Sequence, residues 1–380
     1  MNANESMISH RENEQFRILT GLTILFVVSG HLSGNNFLTI YGWFPFYSFH
    51  LPLFIFISGY FFKKEVSYVN YVCKKIINHL VPFFLIRLIL SLIQTYLARY
   101  HSFCIGSVFS FKCWLVYPFI RRQPDGFSVA TWFIIMLLGT QLIHKTIICL
   151  FRIERFIKDF ILLVIYFAVG LLLIYLAVKK RLFVDVDLWW VYLRMFIVLP
   201  FFQLGYMYRT YWEKKDNVND YWYFGIVFLI QSILWINNTN LNFGLWGNLE
   251  EFEKGGLVFF ISAVNGIAFW LRASRILQTS SRIIRGVLVL LGKSSMYIMY
   301  FHLLSYWLVN SIIYLLHKRE HFYDFDAAEY HSNVYYSYHP SHIWFLVYII
   351  VGIVVPVCIY LVVNRIGACI KEKHKRTSKT

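Results

Sequence analysis

The sequence predicts an all-α, polytopic membrane protein of about ten spanning helices with both termini in the cytoplasm. Three observations carry that expectation. Of 380 residues, 58% are hydrophobic and 15% charged, where a soluble domain carries about 25% charged residues. Apolar runs near the ~20 residues that a spanning helix needs recur along the chain. Basic residues gather in short clusters between those runs, 24 on alternate segments against ten on the others, which is the asymmetry that orients membrane proteins.

The spans are expected at 17–34, 43–62, 79–98, 128–150, 160–178, 188–208, 221–237, 255–274, 294–316 and 341–364. Several contain Gly or Pro, which membrane helices tolerate. The polar stretch through Glu14 has no small-x-small cleavage site after it, so the first apolar run reads as an uncleaved helix. The whole chain reads as one membrane-embedded domain, residues 1–380. It comprises a cytoplasmic segment 1–16, a bundle 17–364 and a basic cytoplasmic tail 365–380. The longest outer loop, about 317–340, is far below domain size, so no appended soluble domain is expected.

A net charge of +16 suits positive-inside loops and anionic lipid better than nucleic acid, because the charge is dispersed between apolar runs. The six cysteines, Cys73, Cys104, Cys113, Cys149, Cys358 and Cys369, show no metal-ligand or redox spacing. No metal site is expected, and the thiols read as free, with a Cys104–Cys113 pair as the alternative. Acidic clusters at Glu250, Glu251 and Glu253, and at Asp324, Asp326 and Glu329, fall in outer segments. They read as solvated surface or as an aromatic- and carboxylate-bearing rim for sugar.

The chemistry-bearing residues are those that hydrocarbon should exclude. An ionisable group inside a span is a functional-site hypothesis by default. His31 ends the first apolar run, His50 opens the second, and His302 lies inside the ninth. Imidazole suits general-base activation of a hydroxyl, because its pKa lies near operating pH, and it can also accept an acyl group covalently. His50 stands two residues before Pro52, whose missing N–H was expected to create polar surroundings for it. Ser58 reads as a packing residue beside Gly59, with a nucleophilic role as the weaker alternative. Arg87 and Arg194 fall inside spans and need partners. Arg194 is expected near the outer interface beside Asp187.

Three stretches together resemble the acyltransferase 3 superfamily of integral membrane acyltransferases, in the branch similar to bacterial polysaccharide O-acetyltransferases. They are Leu19-Thr20-Gly21-Leu22 through Val27-Val28-Ser29-Gly30-His31, the run Phe49–Phe62, and Leu291-Gly292-Lys293-Ser294-Ser295 through Phe301-His302. Asn78-His79-Leu80-Val81-Pro82, Trp132-Phe133 and Phe202-Gln203-Leu204-Gly205-Tyr206 are weaker echoes.

The resemblance implies a membrane O-acyltransferase in a bacterial cytoplasmic membrane. It would move an acetyl group, or another acyl group, from cytoplasmic acyl-CoA to a hydroxyl of a cell-surface polysaccharide or its lipid-linked precursor. No cofactor would be bound permanently. Membrane lipids, polysaccharide-synthesis machinery or a second copy of the chain are the other implied partners. His31 would be the base, with His50 and His302 in support. Arg17, Thr20, Lys74, Lys75, Arg87 and Lys293 would line the donor path, with Lys293 at the cytoplasmic start of its helix. The family usually places Arg or Lys where this chain has Thr20; either Arg17, one turn earlier, would supply the cation instead, or the activity would differ from the family norm. Two other classes share such a bundle: a transporter or flippase for a glycan intermediate, and a non-catalytic subunit of a polysaccharide-export complex. A transporter would more typically show paired broken helices in inverted repeats.

Overall fold

The structure is a computed structural model. It describes residues 3–32, 43–122, 124–153, 155–180, 187–237, 241–245, 252–253, 255–317, 322, 324–338 and 340–377. Glu250 and Glu251 lie outside the described residues. Fourteen α-helices follow one another among them. They are α1 (Ala3–Gly30), α2 (His50–Tyr60), α3 (Tyr68–Lys75), α4 (Val81–His101), α5 (Tyr117–Ile120), α6 (Trp132–Phe151), α7 (Phe156–Lys179), α8 (Asp187–Ile197), α9 (Leu199–Met207), α10 (Asp220–Asn237), α11 (Gly256–Leu277), α12 (Arg282–His317), α13 (Ala327–Ser332) and α14 (His342–Thr377). No strand occurs among the described residues.

Each expected span falls on a helix, and seven helical stretches among the described residues are long and apolar enough to cross a membrane. The chain is therefore an all-helical, multi-pass membrane protein. The other three expected spans fall on α1, on α10 and on the eleven-residue α2. Large apolar side chains stay outside where a soluble protein would hide them. Leu85, Ile89, Leu92 and Tyr96 form one exposed face of α4, and their three- and four-residue spacing places them in a stripe fit for lipid.

Several helices depart from the expected bounds, and two of the departures bear on the expected site residues. The second span was expected from residue 43, but Phe46–Ser48 form a 3-10 turn after Pro45, and α2 begins only at His50. Pro52 thus sits in the first turn, where its missing N–H would be unpaired anyway. It opens no carbonyl in the helix, and the polar surroundings expected of it do not arise that way. The ninth span was expected from residue 294, but α12 starts at Arg282 and runs 36 residues. Lys293 therefore lies inside the helix, about three turns from its start. Nothing between Arg282 and Lys293 breaks the helix, and the apolar run continues through Val287–Leu291.

The chain forms two compact units. The first comprises Met1–Asn35, Leu97–Gly106 and Ser281–Thr380. In it α12 packs against both α1 and α14. Helices α1 and α12 run parallel: Glu14 pairs with Arg285 at 2.9 Å, and His31 meets His302 seventeen residues further along both helices, or about 26 Å at 1.5 Å per residue. Small residues allow the approach. A Cβ on Gly21 would strike the Leu288 carbonyl, and one on Gly292 the Arg17 carbonyl.

The second unit comprises Asn36–Tyr96 and Ser107–Ser280. Helices α2 and α9 cross at a reciprocal pair of glycines. Gly59 lies against the Phe202 backbone and Gly205 against the Phe56 backbone, as close-packed membrane helices require. Ser58 beside them receives a hydrogen bond from Gln141 at 2.5 Å, which fits its reading as a packing residue. All six cysteines are free.

Candidate active site

In the first unit the end of α1 delivers an imidazole to the middle of α12. His31 is the residue after the last turn of α1, its N–H still bonded to the Val27 carbonyl at 3.3 Å. His302 is fully buried. The Nε2 of His302 lies 3.0 Å from Nδ1 of His31, and its own Nδ1 lies 2.8 Å from the Ile298 carbonyl.

These two bonds determine the tautomers of the neutral pair. A carbonyl oxygen only accepts, so the His302 Nδ1 carries a proton. Its Nε2 is then a lone pair and accepts from the His31 Nδ1–H. The remaining nitrogen, Nε2 of His31, is left as that ring's basic lone pair, because in a neutral imidazole one nitrogen donates and the other accepts. The Val27 carbonyl is a further backbone acceptor at this imidazole. The arrangement can take a proton at His31 Nε2 and spread the resulting charge through His302 to the Ile298 carbonyl.

Aromatic side chains brace the pair. Tyr306, one turn beyond His302, meets its ring edge-on at 5.7 Å and donates to the Val28 carbonyl of α1 at 2.6 Å. The Tyr335 ring stacks on His31 with centroids 5.7 Å apart and planes 13° apart. Neither tyrosine was singled out in the sequence. Tyr335 sat in a loop whose aromatic content was its only signal.

The expected donor cations of this unit lie lower on the same helices. Arg17 and Lys293 are exposed, and in the register of the His31–His302 and Glu14–Arg285 pairs Lys293 lies about 7 Å, a little over one turn, nearer the histidines than Arg17 does. The Thr20 hydroxyl is spent on the Phe16 carbonyl at 2.7 Å. Two acids of the 324–338 loop, Asp326 and Glu329, serve the loop itself. Asp326 caps α13 by accepting from Ala328 and Glu329, and Glu329 accepts from Asn333 at 2.9 Å.

The second unit holds the other expected residues. His50 is buried, with Nδ1 on the Phe46 carbonyl at 2.7 Å, so the 3-10 turn itself orients it. Lys74 is exposed, and Lys75 lies over the Tyr71 ring. Arg87 is buried and donates to the Cys113 carbonyl at 3.1 Å. Arg194 lies on α8, the helix that Asp187 opens, and its partners are other groups. It is fully buried, stacks over Trp132 at 4.3 Å and donates to the Arg122 carbonyl at 2.8 Å, while Asp187 pairs with Arg122 at 2.7 Å.

A polar hub in this unit escaped sequence reasoning. Asp159, fully buried, takes Tyr211 at 2.6 Å and Lys64 at 3.4 Å. Lys145, also buried, donates to the Lys64 and Val66 carbonyls at 2.9 and 2.7 Å. Together they tie down the turn after α2. The one available signal was an acid in the first turn of a helix whose other charged residues are Lys158 and Lys179.

The family described as an acyltransferase domain matches residues 13–361, a range that contains α1 from residue 13 onward, all of α12 and both histidines of the pair. The chain belongs to the acyltransferase 3 superfamily. It is thus a membrane acyltransferase, consistent with its apolar helices. No curated protein and no solved structure matches it. Among the described residues of this acyltransferase no group of three or more His, Cys, Asp or Glu side chains could hold a metal ion.

Proposed function

We propose that this acyltransferase moves an acetyl group from cytoplasmic acetyl-CoA to a hydroxyl of a cell-surface polysaccharide or its lipid-linked precursor, with His31 as general base. The observation that carries the reading is the hydrogen-bonded chain from His31 through His302 to the Ile298 carbonyl. His31 Nε2 takes the proton of the acceptor hydroxyl as the oxygen attacks the thioester carbonyl carbon. The C–S bond then breaks, the acetyl group stays on the acceptor oxygen, and the leaving thiolate takes the proton from the imidazolium. His302 and the Ile298 carbonyl stabilise the imidazolium while it exists, as general-base catalysis requires.

The placement of Arg17 and Lys293 supports an acyl-CoA donor. Lys293 is nine residues before His302 and Arg17 fourteen before His31, which at 1.5 Å per residue is about 14 and 21 Å along the helices. Coenzyme A has its phosphates at one end and its thioester at the other, so cations toward one end of the helix pair and an imidazole further along suit its length. Lys74, Lys75 and Arg87 are further candidate donor contacts, and His50 a candidate supporting group. The acyl identity, the glycan acceptor and the bacterial cytoplasmic membrane come from the resemblance.

The test is direct. Purified protein incubated with acetyl-labelled acetyl-CoA and cell-envelope glycan should yield glycan carrying alkali-labile label. Glycan carried across a reconstituted membrane without gaining label would instead support a transporter.

A further inference from the structure

Between α12 and α14 the chain folds back on the first unit through a chain of polar contacts. Asn310 of α12 donates to the Tyr336 carbonyl at 2.7 Å. The Tyr348 hydroxyl of α14 donates to Asn310 and accepts from the Tyr338 N–H at 2.9 Å. The side chain of Asn333 accepts from the Tyr335 N–H at 2.9 Å, and its carbonyl accepts from the Tyr336 N–H at 3.1 Å. Both Asn310 and Tyr348 are buried. The backbone just after Tyr335 is therefore anchored to α12 and α14, and Asn333 holds the turn before it.

Most aromatics of this loop pack among themselves. Phe325 meets Tyr330, Tyr336 and Tyr338. Tyr335 instead lies flat on His31, its plane within 13° of the imidazole. His31 needs such a support, because it lies beyond the last helical turn of α1. Its contacts with His302 and with the Val27 carbonyl run through the ring nitrogens and leave the ring face free to rock. A stacked ring at 5.7 Å, within the range of offset aromatic pairs, removes that freedom. The same phenol face favours the imidazolium that forms when the base takes a proton.

We infer that Tyr335 is a positioning residue for His31: the loop 324–338 holds its ring against the imidazole, so that Nε2 faces the acceptor hydroxyl. The inference rests on the reading of His31 as the base. The residues that hold the loop, Asn310 and Tyr348, act on the reaction only through Tyr335.

The full chain, purified in detergent or in nanodiscs, is compared with Tyr335→Phe and Tyr335→Leu. Tyr335→Leu should lower kcat by about tenfold or more, since small misorientation of a reacting group is costly. Its KM for acetyl-CoA should be unchanged, and its thermal unfolding should match that of the wild type. Tyr335→Phe keeps the ring and should restore turnover. Wild-type kcat in Tyr335→Leu, an equal loss in both variants, or a loss expressed only in donor KM overturns the inference.

Histidine-ring NMR signals provide a readout that needs no turnover. The signal assigned to His31 by its absence from His31→Ala should move in Tyr335→Leu and stay in place in Tyr335→Phe. An unmoved signal in Tyr335→Leu overturns the positioning role whether or not the protein acetylates glycan. A wild-type protein that transfers no acetyl while the signal moves overturns the reading of His31 as base, and with it the catalytic part of the inference.

Discussion

His302 accepts a hydrogen bond from His31 at 3.0 Å across two parallel helices, and its other nitrogen is committed to the Ile298 carbonyl. The buried histidine is thus the orienting partner and the half-buried one carries the basic nitrogen. A backbone carbonyl at the far end of the chain polarises the pair without itself titrating. That division of labour gives the two residues different roles although both are imidazoles, and it rests on a register that Gly21 and Gly292 permit.

The glycine contacts make that register testable. Gly292→Val should press a side chain into the Arg17 backbone and cost about 1–3 kcal/mol, as overpacking does. Gly286 lies on the same helix with nothing near its missing Cβ. Gly286→Ala should therefore leave stability equal or raise it by about 0.5–1 kcal/mol, the helix preference of Ala over Gly. Thermal unfolding of the purified variants checks both, and equal midpoints for Gly292→Val and wild type would contradict the packing.

The donor path is tested through its cations. Arg17→Ala and Lys293→Ala should each raise the KM for acetyl-CoA by about one to two decades, the effect of losing a charge-assisted contact worth roughly 1.5–3 kcal/mol. Acceptor KM should change less. Thr20→Arg should be tolerated or improve donor binding, since it places at that position the cation that the resemblance implies. Arg87→Ala should raise the donor KM in the same way and also lower stability, because its guanidinium is held by the Cys113 carbonyl. Normal donor binding in both Arg17→Ala and Lys293→Ala would contradict this path.

Orientation follows from charge. With both termini and the segment 62–78 on the cytoplasmic side, Asn70→Cys in a protein stripped of its six native thiols should resist an impermeant reagent in intact cells. It should react after permeabilisation, since residue 70 is exposed. Labelling from outside intact cells would reverse the assignment.

The helices were legible because hydrocarbon enforces long apolar runs. Histidine in such runs marked His31, His50 and His302 for the same reason. What could not be read was pairing. His31 and His302 are 271 residues apart, and only helix packing brings them together. The length of α12 was underestimated because Arg282, Arg285 and Lys293 interrupt hydropathy without interrupting the helix. The start of α2 was misplaced because Phe44–Phe49 are as apolar as a span while Pro45 and the 3-10 turn keep them out of the helix. Tyr335 and Asp159 left no periodic signal, since a loop aromatic and a single helical acid acquire meaning only from their neighbours in space.

The central claim is that His31 is the base and that His302 acts through it. The measurement is O-acetyl content of the native glycan in cells expressing His31→Ala, His302→Ala or both, each at wild-type protein level. His31→Ala should lower transfer by about 10²–10⁴-fold, the range of general-base catalysis. The double variant should be no worse than His31→Ala, because residues acting as one unit are not additive. Wild-type O-acetyl content in His31→Ala would contradict the account.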